Sequence, residues 1–398
     1  VYGEEAGMRG TAVQFGAGNI GRGFLAQLFH ESGLEVVFVD VAPALVAAIN
    51  ARGAYDIEIV GPDPQRVAIT GVRAIDGHDV ERVAAEIAVA EIVATAVGAN
   101  ALSHIAPALA AGLDGRLRTD RPPLNVLLCE NLIDAPERLR AAVLAQIPPA
   151  HRDEVAARTG FVHTVVSRMV PVQTSADPLT VRVEAYKRLP IEAAALVAPV
   201  DGLVGIEPVA DFDAHVARKL YTHNAAHAAL GYLGHLAGYT YGYEALRDPE
   251  LHAPVEALLE ETGAALIARY GFAPDEHRAH VEDLLIRFDN AALGDTCRRL
   301  GRDPIRKLAP GDRLVGAARL CEREQIPPRA VARTIAAALR YDDPDDAGAV
   351  ELQRRLITHG RAATLRTVCG IVPDEPLAAR IDEADRNLPT LNREGRER

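Results

Sequence analysis

Apolar and polar positions divide this chain into two regimes. Through the first third, short apolar runs alternate with amphipathic stretches, which predicts strands and helices in turn. Strands are expected over 12–15, 36–40, 54–60, 67–69, 90–98, 124–129, 161–166 and 179–185, with another beginning at Ile191. The run AEIVATAVG at 90–98 is apolar on both faces and reads as a buried parallel strand. Helices are expected from about Pro43 and over 102–111. From about Asp211 the pattern becomes alanine- and leucine-rich at helical spacing over 212–236, 254–270, 279–293, 329–340 and 346–358, with Gly271 and Gly360 as stops.

Residues 12–41 read AVQFGAGNIGRGFLAQLFHESGLEVVFVDV. An apolar run enters Gly16-x-Gly18-x-x-Gly21, a helical segment follows, and a second apolar run ends on Asp40. Strand, glycine turn, helix, strand and acid in this order form the dinucleotide-binding fingerprint. Gly16 permits the tight turn, Gly18 lets backbone approach a pyrophosphate, and Gly21 lets helix and strand pack closely. Gly16, Ala17, Gly18, Asn19, Ile20 and Gly21 are therefore expected to hold the cofactor, with Asn100 and Asn131 facing the same crevice from later strand ends. Glu130 is either a partner for a lysine or part of its turn. Asp40 selects the nucleotide: a carboxylate accepts from ribose hydroxyls and repels a 2′-phosphate, and Val41-Ala42-Pro43 brings no arginine. NAD is expected over NADP. The fold class expected is α/β: a Rossmann-type domain with extra strands over 8–200, then a mostly α-helical substrate and catalytic domain over 201–398, with a second substrate in the cleft between them.

Composition narrows the classes. A net charge of −12 argues against a general nucleic-acid binder. No apolar run is long enough to span a bilayer, so no membrane partner is expected. Cys129, Cys297, Cys321 and Cys369 are scattered without metal-binding spacing, which fits a reducing cytoplasm. The leading VYGEEAG lacks a signal-peptide pattern, and Met8 is expected as the natural start. No strong oligomerisation signal is present, so a monomer or weak homo-oligomer is expected.

Candidate chemistry lies in HVARKLYTHNAAHAALGYLGH at 215–235. On an ideal α-helix Lys219, His223, His227 and Asn224 fall near about 0°, 40°, 80° and 140°, sharing one arc. Two readings compete. His223-x-x-x-His227 has zinc-ligand spacing, but Asn224 replaces the acid of an HExxH site and Lys219 would repel the ion. Alternatively a partly desolvated Lys219 is a general base for an alcohol losing hydride, Asn224 holds the reacting oxygen, and His227 orients substrate.

The spacing Lys219-LYTH-Asn224-AA-His227 resembles the long-chain polyol dehydrogenases, which implies a metal-independent lysine base, an asparagine on the reacting oxygen and a histidine assisting substrate. FGAGNIGRGF at 15–24 is similar to the phosphate-using branch, as are CENLI at 129–133, SRMVP at 167–171 and the segment from Phe288 to Leu308. The implied reaction is D-mannitol 1-phosphate plus NAD giving D-fructose 6-phosphate, NADH and a proton. A hexuronate reductase, a free-polyol dehydrogenase and a non-catalytic NAD-binding protein are the alternatives. Ser167 stands where the family commonly has an acid before Arg168, and Tyr186-Lys187-Arg188-Leu189-Pro190 also departs from the usual pattern. A β-hydroxyacid dehydrogenase is disfavoured because His223 stands where its asparagine belongs.

Arg298, Arg299, Arg302, Arg306 and Lys307 cluster with only Asp303 opposing. Such a cluster is either a solvated face or an anion pocket; Arg302, Arg306 and Lys307 are the expected contacts to a sugar phosphate.

Overall fold

The computed structural model describes residues 10–119, 121–132 and 134–389. Met8, expected as the start, and Ile133, the end of the CENLI stretch, lie outside the described residues. The chain divides into two compact units between Phe212 and Asp213; the sequence expectation set the division at 200/201.

Among the described residues the first unit has eleven strands: β1 Gly10–Phe15, β2 Leu34–Asp40, β3 Ala54–Ile59, β4 Gln65–Thr70, β5 Val72–Asp76, β6 Ile92–Thr95, β7 Leu124–Leu128, β8 Thr159–His163, β9 Val181–Val183, β10 Leu189–Glu192 and β11 Ile206–Val209. Six of them form a parallel sheet in the order β5-β2-β1-β6-β7-β8. Its strands are buried on both faces, and the period of two sorts them. Ala12, Val36 and Phe38 enter one core with Phe24, Leu25 and Leu28, whereas Val13, Phe15, Val37 and Val39 enter the other with Val83, Leu109 and Leu113. The chain leaves β1 for β2 on one side and returns to β6 on the other. This order reversal opens a crevice at the carboxyl ends of β1 and β6.

The extra strands make a sheet in the order β4-β3-β9 and a parallel pair β10-β11. β5 and β11 were not anticipated. β5 is an edge strand whose outward Arg73 pairs with Glu35 and Glu86, so its pattern reads as polar loop.

Helices dominate the second unit. One continuous helical rod runs from Phe212 to Leu236, interrupted by a wider π turn at Lys219–His223. Others include Pro249–Tyr270, Pro274–Phe288, Val315–Arg323, Arg329–Leu339, Ala347–Thr364 and Pro376–Asn387. The helix expected over 279–293 stops at Phe288, and Asn290 caps a short turn by accepting the Ala292 N–H. Gly271 ends Pro249–Tyr270 at φ +72°, and Gly360 interrupts Ala347–Thr364 at φ +78°.

Gly21 is the tightest point of the first unit: a Cβ there would stand against the Gly16 carbonyl oxygen, which is backbone and cannot rotate away. We expect Gly21→Ala to destabilise the protein by at least about 1–3 kcal/mol, the scale of an overpacked site, measured by urea unfolding. Gly18→Ala, with nothing within 4 Å of its added Cβ, leaves the midpoint unchanged.

Candidate active site

The nucleotide loops sit at strand ends of the parallel sheet. Gly16 turns the chain after β1 at φ +87°, where a Cβ would meet the Ala96 carbonyl oxygen at 2.5 Å. Gly18 and Asn19 are exposed, Ile20 is half-buried, and Gly16, Ala17 and Gly21 are buried. Exposed backbone at the mouth of a helix is the surface a pyrophosphate requires. Asp40 ends β2; its Oδ2 accepts the Ala17 N–H at 2.7 Å and its Oδ1 the Ala42 N–H at 2.9 Å. A carboxylate has further lone pairs for ribose hydroxyls. The cradle therefore fits a dinucleotide.

Arg22 explains why this loop is rigid. It is buried; its Nε donates to the Ala17 carbonyl at 2.6 Å and its Nη1 to the carbonyls of Pro178 and Leu179. Arg168 acts likewise from the SRMVP stretch, donating to the Glu184 and Gly23 carbonyls and to Gln27 Oε1. Both arginines fasten the glycine helix to the extra strands.

Asn100 and Asn131 are both exposed, after β6 and β7. Asn100 lies in the short turn Ala99–Ala101 and does not cap the helix Leu102–Arg116. Glu130 is neither exposed nor a lysine partner: it is buried, accepting from Thr95 Oγ1 at 2.7 Å and from the Val97 N–H at 3.0 Å. It anchors the loop after β6, and burial raises its pKa.

In the second unit the π turn revises the helical geometry expected for Lys219 and Asn224. The Asn224 N–H donates to the Lys219 carbonyl, five residues back rather than four. On an ideal α-helix Asn224 would sit at the far edge of that arc, about 140° from Lys219; one wider turn brings the i+5 residue round closer to it. Thr222 Oγ1 donates to the Arg218 carbonyl at 2.6 Å, occupying an acceptor where the ladder loosens. The α-helix resumes at Asn224 and carries His227 one turn on, so the three side chains share a face.

Phe288 supports the histidines. Its ring lies 4.1 Å from that of His227 and 5.4 Å from that of His223, and the two imidazoles meet edge to face at 4.7 Å. Burial, with Arg287 adding repulsion, lowers both pKa values well below the ordinary range, so both rings are neutral at neutral pH. Among the described residues no group of three or more His, Cys, Asp or Glu is placed to hold a metal.

Lys219 keeps part of its surface open, yet its amine is desolvated. Burial is the largest effect; Arg313 and Arg306 add repulsion that Asp312 only partly offsets, and the pKa falls to about 8. The repulsion comes from these two arginines.

Small residues bring the basic segment to this helix. A Cβ on Gly231 would meet the Gly301 nitrogen at 2.6 Å, and one on Gly234 would meet Cys297 Sγ at 2.6 Å, so the short helix Cys297–Gly301 packs backbone to backbone. The basic residues then separate. Arg298 is tied to Asp343 and Asp345, and Arg299 to Asp295. Arg306 is exposed and pairs with Asp303 at 2.8 Å and Asp312 at 3.7 Å. Arg302 is exposed, and its guanidinium has no protein acceptor among the described residues. Lys307, expected as a phosphate contact, is buried instead, its Nζ donating to the carbonyls of Leu300 and Arg302 at 2.5 Å, and burial lowers its pKa to about 7. It braces the turn. Sequence reasoning missed Arg313, Phe288 and the bracing role of Arg22. Of these, only Arg313 left a signal, one short turn beyond the basic cluster and masked by Asp312.

Residues 10–201 match the mannitol dehydrogenase Rossmann domain, and residues 211–371 the mannitol dehydrogenase C-terminal domain. The chain is 41% identical over 377 residues to the mannitol-1-phosphate 5-dehydrogenase of Brevibacillus brevis, covering 95% of this chain and 98% of that one. It is 41% identical over 373 residues to the protein of the same name from an Arthrobacter species, covering 93% and 96%. In fold it is similar to a D-sorbitol dehydrogenase in substrate-free form, with a TM-score of 0.80, 17% identity and coverage of 97% and 96%. It is also similar to Pseudomonas fluorescens mannitol 2-dehydrogenase in complex with NAD and D-mannitol, with a TM-score of 0.75, 18% identity and coverage of 96% and 92%.

Two substitutions separate the halves of the site. Gly18→Ala should weaken NAD binding at least about tenfold by filling the space open to a pyrophosphate, read by titration of NADH fluorescence. Asn224→Ala should lower kcat by about 10²–10³, as for a lost donor to a developing oxyanion, with NADH affinity unchanged. An Asn224→Ala enzyme with full kcat would remove that side chain from the reacting oxygen.

Proposed function

The chain belongs to the mannitol dehydrogenase family, and from that premise we propose that it interconverts D-mannitol 1-phosphate and D-fructose 6-phosphate with NAD and NADH. The observation that carries the chemistry is a desolvated lysine amine followed, across a π turn, by an asparagine on the same helix, in a chain with a glycine cradle ending on Asp40. The substrate named for the relatives supports the sugar phosphate.

Gly16 to Gly21 and Asp40 would hold NAD, with Asn100 and Asn131 beside the same strand ends, and the bound cofactor would supply the hydride acceptor. Neutral Lys219 takes the hydroxyl proton onto Nζ as the carbon–oxygen double bond forms. Asn224 donates its amide N–H to that oxygen, whose negative charge grows along the path. His227, neutral and steadied by Phe288, orients a substrate hydroxyl. In reduction the charged Lys219 returns the proton. Arg302 and Arg306 present guanidinium groups to the phosphate. No residue of this scheme needs a metal.

The reading extends to the setting. All four cysteines are buried and free, which supports a reducing cytoplasm. Among the described residues no helix is long and apolar enough to cross a membrane. We propose a monomer or weak homo-oligomer acting on a small molecule.

A panel of mannitol 1-phosphate, mannitol, fructuronate and tagaturonate, each with NAD and NADP, tests the proposal. We expect mannitol 1-phosphate with NAD to have the highest kcat/KM and EDTA to leave it unchanged. A uronate or free polyol preferred over the phosphate would overturn the substrate, and equal use of NADP would overturn the reading of Asp40.

A further inference from the structure

Arg313 is placed unlike Arg22, Arg116 and Arg168, which are also buried. Arg22, Arg116 and Arg168 each spend at least one terminal nitrogen on backbone carbonyls. The side chain of Arg313 is only 10% exposed, yet it makes one ion pair, through Nε to Asp312 Oδ1 at 2.7 Å. The same oxygen accepts the Arg313 backbone N–H at 2.6 Å, which fixes the pair to its own turn. Nη1 and Nη2 have no protein acceptor among the described residues. Both terminal nitrogens keep contact with solvent, so Asp312 aims the guanidinium at Nε while its outer N–H groups stay open to an incoming anion.

Its location names that anion. The helix Val315–Arg323 starts just after Arg313, and a Cβ on Gly316 in its first turn would lie 2.8 Å from the Tyr221 hydroxyl. Tyr221 belongs to the π turn that carries Lys219. Arg313 is therefore held against the catalytic turn, close enough for its charge to act on both Lys219 and His227. Asp312 also faces Arg306 Nη1, so one carboxylate organises two guanidiniums and leaves the cluster cationic.

We propose that Arg313, aimed by Asp312, is the principal grip on the phosphate of the substrate, closing Nη1 and Nη2 on two phosphate oxygens as a bidentate fork, with Arg302 and Arg306 at the rim. The fork suits a phosphate monoester, whose oxygens match its spacing and whose charge it balances. Lys307, engaged with carbonyls, takes no part. The proposal rests on the sugar-phosphate reading and assigns it a residue.

The test uses fructose 6-phosphate as substrate and inorganic phosphate as probe. Arg313→Gln should raise KM for fructose 6-phosphate and the inhibition constant of phosphate at least about tenfold, with NADH affinity unchanged. Arg313→Lys, which keeps the charge and loses the fork, should recover only part of both. If Arg313→Gln does not fold, the lysine variant decides alone: phosphate inhibition equal to wild type would overturn the proposal. Unchanged constants for both ligands in Arg313→Gln, with only the pH profile moved, would make Arg313 a tuner of Lys219 and would likewise overturn it. Wild type that turns over no sugar phosphate defeats the function reading instead; phosphate protection against thermal unfolding, lost in Arg313→Gln, would still support the anion site.

Discussion

One hydrogen bond sets the catalytic geometry: the Asn224 N–H closing on the carbonyl of Lys219. It widens a single turn of the rod from Phe212 to Leu236 and changes which residues are neighbours on its surface. Before the turn the face presents Lys219; after it, Asn224 and His227 follow on the same side. A base, a donor to the reacting oxygen and a neutral ring are thereby mounted on one rigid element rather than on loops, where a small misplacement would cost rate. The surrounding packing serves this rod. Its alanines are buried, Gly231 and Gly234 admit the Cys297–Gly301 helix, and Phe288 steadies both imidazoles.

Electrostatics completes what the turn begins. Lys219 would be a poor base at its ordinary pKa, because nearly all of it would be protonated at neutral pH. Burial and the nearby arginines bring it to about 8. The cationic cluster thus serves twice in this account, attracting an anionic substrate and lowering the proton affinity of the base. Asp312 keeps the two uses in balance by sharing its oxygens between Arg306 and Arg313.

The parts readable in sequence are those where physics admits few residue types. Gly16, Gly18, Gly21 and Asp40 announced the cradle because a tight turn, an open backbone and a ribose acceptor each restrict the choice. Lys219, Asn224 and His227 could be named, but their geometry could not, since helical spacing assumes 3.6 residues per turn and nothing in KLYTH marks a π turn. Lys307 misled because a lysine in a polar run reads as solvated; only packing reveals two carbonyls at its ammonium. Arg313 stayed hidden for the opposite reason: beside Asp312 it cancels in any count of charge. Arg22 lies in the stretch that resembles the phosphate-using branch, and packing adds a role that sequence does not display: its bonds to Ala17, Pro178 and Leu179 brace the glycine loop.

Every step of this chemistry depends on the alcohol proton passing to Lys219. The pH dependence of kcat/KM for oxidation, in wild type and in Lys219→Ala, addresses it most directly. A lysine lowered to about 8 is neutral, and able to accept a proton, only above that pH. Wild-type oxidation should rise with pH through an ionisation near 8. Lys219→Ala should lose that ionisation together with about 10²–10⁴ of kcat, while still binding NADH. Substantial activity in Lys219→Ala with the same ionisation would contradict it.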